Sequence, residues 1–312
     1  MIDKKLILVT GGAGFIGSHL CARLVRDGHR VISLDNYFTG SRENHVPAKA
    51  FCTAECSPGT CEVHRGVDYR EGHTKDVDKH VPETPDLIYH LGEYSRVAKS
   101  LEEPAIVFDL NVTGTFGVLE FWRKKKCKLV YAGSSTKSVG ARADGTLGRD
   151  LAPYTWGKAA NSDLVANYGR WYGLPYAITY FYNVYGPGER AEVGGYGTVV
   201  ETFRQNYLQG KPHHVRSPGT QKRAFTHVDD TVSGLVLAGE KGEGDGFGIA
   251  AAEQYSLLEL AQMFGGEAHM LPPTLTTRSE AGDTDTSKIV SLGWRQEKTL
   301  PEYIEEAKRQ KL

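Results

Sequence analysis

Short apolar runs alternate with stretches of helical periodicity through the first half of this chain. Leu6 to Val9 form a continuous apolar run, and Phe15, Ile16, Leu20, Leu24 and Val25 then recur at the spacing of one helix face until Asp27-Gly28 interrupts it. A second apolar run, Val31 to Leu34, ends at Asp35. Further runs in "DLIYHLG" and "KLVYAGSS" flank the long helical pattern "AIVFDLNVTGTFGVLEFW". Strands that read as unbroken apolar runs are buried on both faces, so the pattern predicts a doubly wound parallel α/β sheet covered by helices. Beyond Tyr185 the composition shifts toward glycine and charge in "GPGERAEVGGYG". We read residues 1–183 as the first domain and 184–312 as a smaller C-terminal α/β lobe that binds substrate, with part of the second segment returning to the first domain.

The composition removes several function classes. With 312 residues and 40% hydrophobic content the chain is long enough to bury a sizeable core. Lys plus Arg (37) nearly balances Asp plus Glu (38), so nothing in the net charge favours nucleic acid or an anionic membrane as partner. No apolar stretch approaches the roughly 18 residues of a membrane helix, and the expectation is a cytoplasmic protein. Three of the five cysteines, Cys52, Cys56 and Cys61, crowd into "FCTAECSPGTCEVH" with His64. Their spacing is not that of a paired zinc site, so we expect a surface insertion dispensable for catalysis and no metal.

Gly11, Gly14 and Gly17 stand between the first strand and the first helix. Glycines at this turn let a pyrophosphate approach the backbone, and the N–H groups at the start of the helix meet its charge. Asp35 ends the second strand 18 positions after Gly17. A carboxylate there accepts hydrogen bonds from the adenosine ribose and repels a 2′-phosphate, which predicts a Rossmann-like NAD site rather than one for NADP; Arg42, a nearby cation, works against that preference. Farther along, "APYTWGK" places Tyr154 and Lys158 one helical turn apart on one face. Alone, such a pair is ordinary on a solvated helix. Beside a dinucleotide site it becomes a candidate proton-handling device.

With these segments in view, the chain resembles the extended short-chain dehydrogenase/reductase family, in particular its nucleotide-sugar epimerases and dehydratases of the UDP-glucose 4-epimerase type. The motifs "TGGAGFIGSHL", "DNYFTGSREN", "HLGEYSRVAKS", "NVTGT", "YAGSST", "YTWGK", "FYNVYGP", "TQKRAFTHVDD" and "TRSEAGD" occur in the family's order over nearly the whole chain. The resemblance implies that Tyr154 is the catalytic base. It implies that Lys158 lowers the pKa of that phenol and holds the nicotinamide ribose, and that Ser135 hydrogen-bonds the reacting sugar oxygen. A free tyrosine, with a pKa of about 10, is otherwise a poor proton acceptor at neutral pH. Phe15, Ile16, Asn36 and Leu91 are implied to join Gly11, Gly14, Gly17, Asp35 and Lys158 around NAD. Asn183, Arg223 and Arg278 match positions that contact the substrate's nucleotide diphosphate, and Phe225 one that packs near its base. Arginine suits that work through its planar, permanently charged fork. The resemblance further implies a homodimer, for which Phe108, Leu119, Leu164 and Tyr168 are candidate interface residues.

The chain also departs from the family's pattern. His73-Thr74 stands where an acidic residue often contacts adenine, Ala224 where Asp commonly follows the phosphate arginine, and Tyr180 where Arg commonly precedes the "FxN" segment. The segment between Ser135 and Tyr154 is shorter than usual. Dehydratases of the family carry Asp-Glu after the catalytic hydroxyl residue, and decarboxylases a Glu at the second position; here Thr136-Lys137 occupies these places. Without that carboxylate the expected activity is reversible oxidation at carbon 4, a 4-epimerase acting on a nucleoside-diphosphate sugar, with a UDP-sugar as first candidate. A reductase or dehydratase using the same site and a non-catalytic NAD-sensing protein are the alternatives. Lys137 is read as a solvated loop lysine, with contact to an acidic sugar as the second reading.

Overall fold

The structure is a computed structural model describing residues 4–45, 66–138, 148–190, 197–274 and 284–309, with Lys137 and Ser138 described by their backbone only. Arg278 and the cluster Cys52, Cys56, Cys61 and His64 lie outside the described residues, as does the side chain of Lys137.

The elements run β1 (Leu6–Thr10), α1 (Phe15–Arg26), β2 (Arg30–Asp35), β3 (Val67–Glu71), α2 (Val77–His80), β4 (Leu87–His90), α3 (Pro104–Val107), α4 (Gly114–Lys125), β5 (Lys128–Ser134), α5 (Pro153–Tyr172) and β6 (Tyr176–Phe181). After these come β7 (Val184–Tyr185), α6 (Val199–Gln209), β8 (His213–Arg216), β9 (Arg223–Ala224), β10 (Thr226–His227), α7 (Val228–Lys241), β11 (Gly244–Ile249), β12 (Gln254–Tyr255), α8 (Leu257–Phe264), β13 (Ala268–Leu271), α9 (Ser287–Ser291) and α10 (Leu300–Arg309). Seven strands form one parallel sheet in the order β11-β6-β5-β4-β1-β2-β3. The order reverses between β1 and β4, and the crevice at the carboxyl ends of these strands is where open α/β sheets bind ligands.

Both faces of the sheet are covered, as the unbroken apolar runs require. Ile7, Val9, Val31, Val130 and Ala177 pack with Leu20 and Leu24 of α1 and with Val232 and Leu235 of α7. Their neighbours in sequence, Leu8, Ile32, Leu129 and Ile178, point the other way and pack with Val118, Phe121 and Trp122 of α4 and Val165 of α5. The helical pattern from Pro104 to Lys125 is one continuous helical segment whose middle, Phe108–Thr113, widens into a π-helix.

The C-terminal lobe has its own core, where Tyr185, Phe203, Val215, Phe225, Leu260, Phe264, Leu300 and Ile304 meet. The segment after residue 183 does not stay there. Strand β11 crosses back to extend the large sheet beside β6, and α7 and α9 pack on that sheet as well. No described helix is long and apolar enough to cross a membrane.

Candidate active site

A cavity of about 370 Å³ opens at the carboxyl edge of the sheet between the two lobes. Its floor is the turn from β1 into α1, lined by Gly11, Gly14, Phe15, Ile16 and Gly17. Gly11 has φ +73°, and a Cβ on Gly17 would stand 2.0 Å from the Gly11 carbonyl oxygen, so neither position tolerates a side chain. Gly14 caps α1 without a side-chain hydrogen bond, and the first turn carries no acidic residue. The free N–H groups and the positive end of a three-turn helix are thus left for an anion.

Asp35, at the end of β2, is buried and forms the next stretch of wall with Asn36 and Leu91. Its Oδ2 accepts the Ala13 N–H at 3.0 Å and its Oδ1 the Tyr37 N–H at 2.8 Å. Burial pushes this carboxyl above its ordinary range, and the two backbone donors offset part of that rise. Both oxygens keep lone pairs for further donors, which is what a ribose diol supplies. Arg42 does not reach into this corner as a phosphate ligand. It donates to Glu71 Oε2 at 2.6 Å and lies over the Tyr37 ring, 4.8 Å from its centroid. The cradle, the carboxylate and the paired arginine fit NAD. Gly72 and Thr74 also line the cavity, while the His73 ring accepts the Lys75 N–H at 3.1 Å and meets Asp109 at 3.0 Å.

The opposite end of the cavity gathers Ser134, Ser135, Thr136, Tyr154 and Lys158. Helix α5 starts sharply because Pro153 occupies its first turn and Thr155 Oγ1 both accepts the Ala152 N–H and donates to the Ala152 carbonyl, each at 2.9 Å. This fixes Tyr154 one residue earlier. Its backbone N–H donates to Ser100 Oγ at 3.3 Å, and its ring packs against Tyr94, Val107 and Leu110. Ser134 is buried and shares a 2.9 Å hydrogen bond with Thr136 Oγ1, whereas Ser135 is half-buried on the cavity wall.

Lys158 is buried, and its ammonium donates to Glu93 Oε2 and to the Ala132 carbonyl. Sequence reasoning missed Glu93. Its carboxylate, 2% exposed, also accepts from Thr115 Oγ1 at 2.9 Å, Tyr131 OH at 3.0 Å and Asn161 Nδ2 at 2.9 Å, all on Oε1. Burial alone raises a carboxyl pKa, but the Lys158 charge, the His90 ring and the hydrogen bonds from Lys158 and Thr115 outweigh it and hold Glu93 below the ordinary carboxylate range. The only sequence signal was an acidic residue directly after the β4 run, in "HLGE".

In the second lobe the expected set is only partly assembled. Asn183 lines the cavity with φ +41° and donates through Nδ2 to the Ala224 carbonyl at 2.8 Å. Arg223 is half-buried on β9, opposite Tyr255 of β12, and is not part of the cavity wall. Phe225 does not stand free to pack near a nucleotide base, because it is 2% exposed inside the second-lobe core. Ala224, where Asp is common in the family, is buried as well. Tyr180 donates to Asp245 Oδ1 at 2.6 Å, tying β6 to β11.

Nor are the four residues expected at a dimer interface together on the surface. Leu119 and Tyr168 are buried and Leu164 packs into the core between α4, α5 and the sheet. Phe108 is exposed, and its neighbours in exposure are Ile106, Phe116, Trp156, Trp171 and Tyr172. The helical period explains the exchange: the apolar face of α4 and α5 that was read as surplus is the one the sheet covers.

Comparison with known proteins agrees with this geometry. Residues 7–250 match the NAD dependent epimerase/dehydratase family. A putative UDP-glucose 4-epimerase of Methanocaldococcus jannaschii is 30% identical, over 96% of each chain. A UDP-N-acetyl-alpha-D-glucosaminuronate decarboxylase of Bacillus cytotoxicus is also 30% identical, over 99% of this chain and 89% of its own. The crystal structure of the Thermus thermophilus UDP-glucose 4-epimerase in complex with NAD superposes with a TM-score of 0.80 at 27% identity, covering 96% of both chains. Glycine cradle, buried Asp35 and a family match over most of the chain lead to one conclusion: the chain belongs to the NAD-dependent epimerase/dehydratase family, and NAD is its cofactor.

Proposed function

We propose that this protein is a 4-epimerase of a nucleoside-diphosphate sugar, with a UDP-sugar as first candidate. The observation that carries the reading is the group Ser135, Thr136, Tyr154 and Lys158 on the cavity wall, with a threonine where a dehydratase would hold a carboxylate. Relatives that act as UDP-sugar epimerases support it. NAD held in the glycine cradle would supply the hydride acceptor, and after oxidation of the sugar the hydride donor, at carbon 4. The residues handle everything else. Tyr154 accepts the proton of the carbon-4 hydroxyl as the carbonyl forms, and Ser135 donates a hydrogen bond to that same oxygen. The Lys158 N–H not engaged by Glu93 or Ala132 holds the ribose next to the reacting carbon. Asn183, on the cavity wall, holds the diphosphate end while the 4-keto ring turns its other face, with Arg223 and Arg278 carried over from the family resemblance as its cationic partners, and Tyr154 then gives its proton back.

Equilibrium product analysis with UDP-, dTDP-, CDP- and GDP-sugars tests this directly. A 4-epimer formed without net redox change or water loss is expected, and deuterium placed at carbon 4 should stay in the product. Tyr154→Phe should lower kcat by about a thousandfold or more while keeping the NAD content of the protein, since only the transferable proton is lost. Loss of carbon dioxide or water, or label appearing in solvent, would point to the decarboxylase, dehydratase or reductase readings instead.

We further propose a homodimer formed through the exposed face of α3 to α5, where Phe108 and Trp156 lie edge to face at 5.7 Å and Phe116, Trp171 and Tyr172 are half or more exposed. Large aromatics concentrated on two neighbouring helices are unusual for a surface that stays in water.

A further inference from the structure

The strongest feature that the proposed reaction does not absorb is Glu93. A directional hydrogen-bond chain leads to it across three elements. The Gly92 N–H donates to Thr10 Oγ1 at 3.1 Å, Thr10 Oγ1 and His90 Nδ1 are 2.7 Å apart, and His90 Nε2 lies 2.9 Å from Thr115 Oγ1. Because the Thr115 hydroxyl donates to Glu93, it accepts from His90 Nε2–H, and His90 Nδ1 accepts from Thr10. Burial holds His90 down to about 4, so it stays neutral and the chain keeps this polarity at working pH. Tyr131 and Asn161 add two more donors to the same carboxylate oxygen. Thr115, Tyr131 and Asn161 thus fix Glu93 Oε1, and Oε2 is left to Lys158.

We propose that Glu93 is a positioning residue: it sets where the Lys158 ammonium sits and cancels that charge one helical turn from Tyr154. The proposal rests on the reading of Tyr154 as base. An ammonium has three N–H donors, and Glu93 and Ala132 take two of them, so the direction of the third is set by those two; the ammonium lies over the Tyr131 ring, 4.8 Å from its centroid, and Lys158 lines the cavity. A lysine held only by solvent or ligand has no such constraint. The titratable groups facing the pair are His90 from β4, Tyr131 from β5 and Tyr154 from α5, which interacts electrostatically with Tyr131. His90 is neutral and Tyr131 is pushed far up by burial, so among the described residues Glu93 and Lys158 carry the full charges of this cluster. The cost of burying them is met by mutual pairing and by the neutral donors on Oε1.

Glu93→Gln keeps the size of the side chain and removes its charge. The Lys158 charge then stands uncompensated near Tyr154 and favours loss of the phenolic proton. The tyrosine ionisation that is deleted by Tyr154→Phe, read as an ultraviolet difference spectrum between Glu93→Gln and Glu93→Gln/Tyr154→Phe, should lie at lower pH than the same difference between the wild type and Tyr154→Phe. The acid limb of kcat should move with it, and kcat should fall at least tenfold while KM for the nucleotide sugar changes little. Glu93→Asp retains the charge and shortens its reach: the ionisation should stay in place, while kcat falls. If Glu93→Gln does not fold, this second variant decides alone, and a wild-type kcat would overturn the proposal. So would a folded Glu93→Gln protein whose ionisation and acid limb both coincide with the wild type. Normal turnover in Tyr154→Phe would instead remove the reading of Tyr154 as base, so the two failures are distinguishable.

Discussion

Glu189 is predicted to weaken the protein at alkaline pH. It is 8% exposed, near the start of the second segment, with Oε1 accepting the Thr198 N–H at 2.5 Å and Oε2 accepting the Thr198 hydroxyl at 2.8 Å. Burial pushes its carboxyl from 4.5 up to about 7; the Thr198 hydrogen bonds and the nearby Arg96 charge pull it down, and Glu201 adds to the rise. The native state therefore binds this proton more tightly than the unfolded chain. Below about pH 4.5 both states are protonated and the site costs nothing. Between about 4.5 and 7 the unfolded chain releases its proton first and stability falls; above about 7 the loss is complete. At about 1.4 kcal/mol per pH unit, a rise from 4.5 to about 7 corresponds to about 3 kcal/mol. Glu189→Gln cannot ionise, and its amide still offers an acceptor to the Thr198 N–H and a donor to the Thr198 hydroxyl. Denaturant unfolding of both proteins should give similar stabilities at about pH 4.5 and an advantage of about 2–3 kcal/mol for the variant at about pH 8.5. A difference between variant and wild type that stays constant over this range would refute the reasoning, because only an ionisation confined to the wild type produces the slope.

The remaining predictions concern the cofactor corner and assembly. Asp35→Ser should lower NAD affinity about tenfold and raise NADP affinity, and adding Glu71→Gln should raise NADP affinity further by releasing Arg42 from its ion pair; calorimetric titration of cofactor-free protein measures each. Trp156→Glu places a charge within the exposed aromatic face and should convert a dimer to a monomer by light scattering at micromolar concentration, with the stability of the monomer little changed because Trp156 is 43% exposed. A monomeric wild type would reject the dimer outright.

What the sequence determined by itself is local. Apolar runs such as Leu6 to Val9 are buried on both faces wherever they occur, glycines at a strand-to-helix turn permit close backbone approach, and four residues make one helical turn; each of these is a property of neighbours in the chain. The parallel sheet, the cradle of Gly11, Gly14 and Gly17, Asp35 at the strand end and the shared face of Tyr154 and Lys158 were legible for that reason. Tertiary structure decided what residues distant in sequence do to one another. Glu93 and Lys158 are 65 positions apart, and only the adjacency of β4 and β5 under α5 brings them into contact. The face of α4 and α5 that periodicity marks as apolar gives no direction in space, so Leu119 and Tyr168 looked available for a partner until the sheet was seen to cover them. In the same way Arg223 and Phe225 lie two positions apart in sequence, yet strand β9 and the second core assign one to a strand edge and the other to the interior. A motif specifies which side chains are present, whereas burial and charge pairing, which set their chemistry, are properties of the packed molecule.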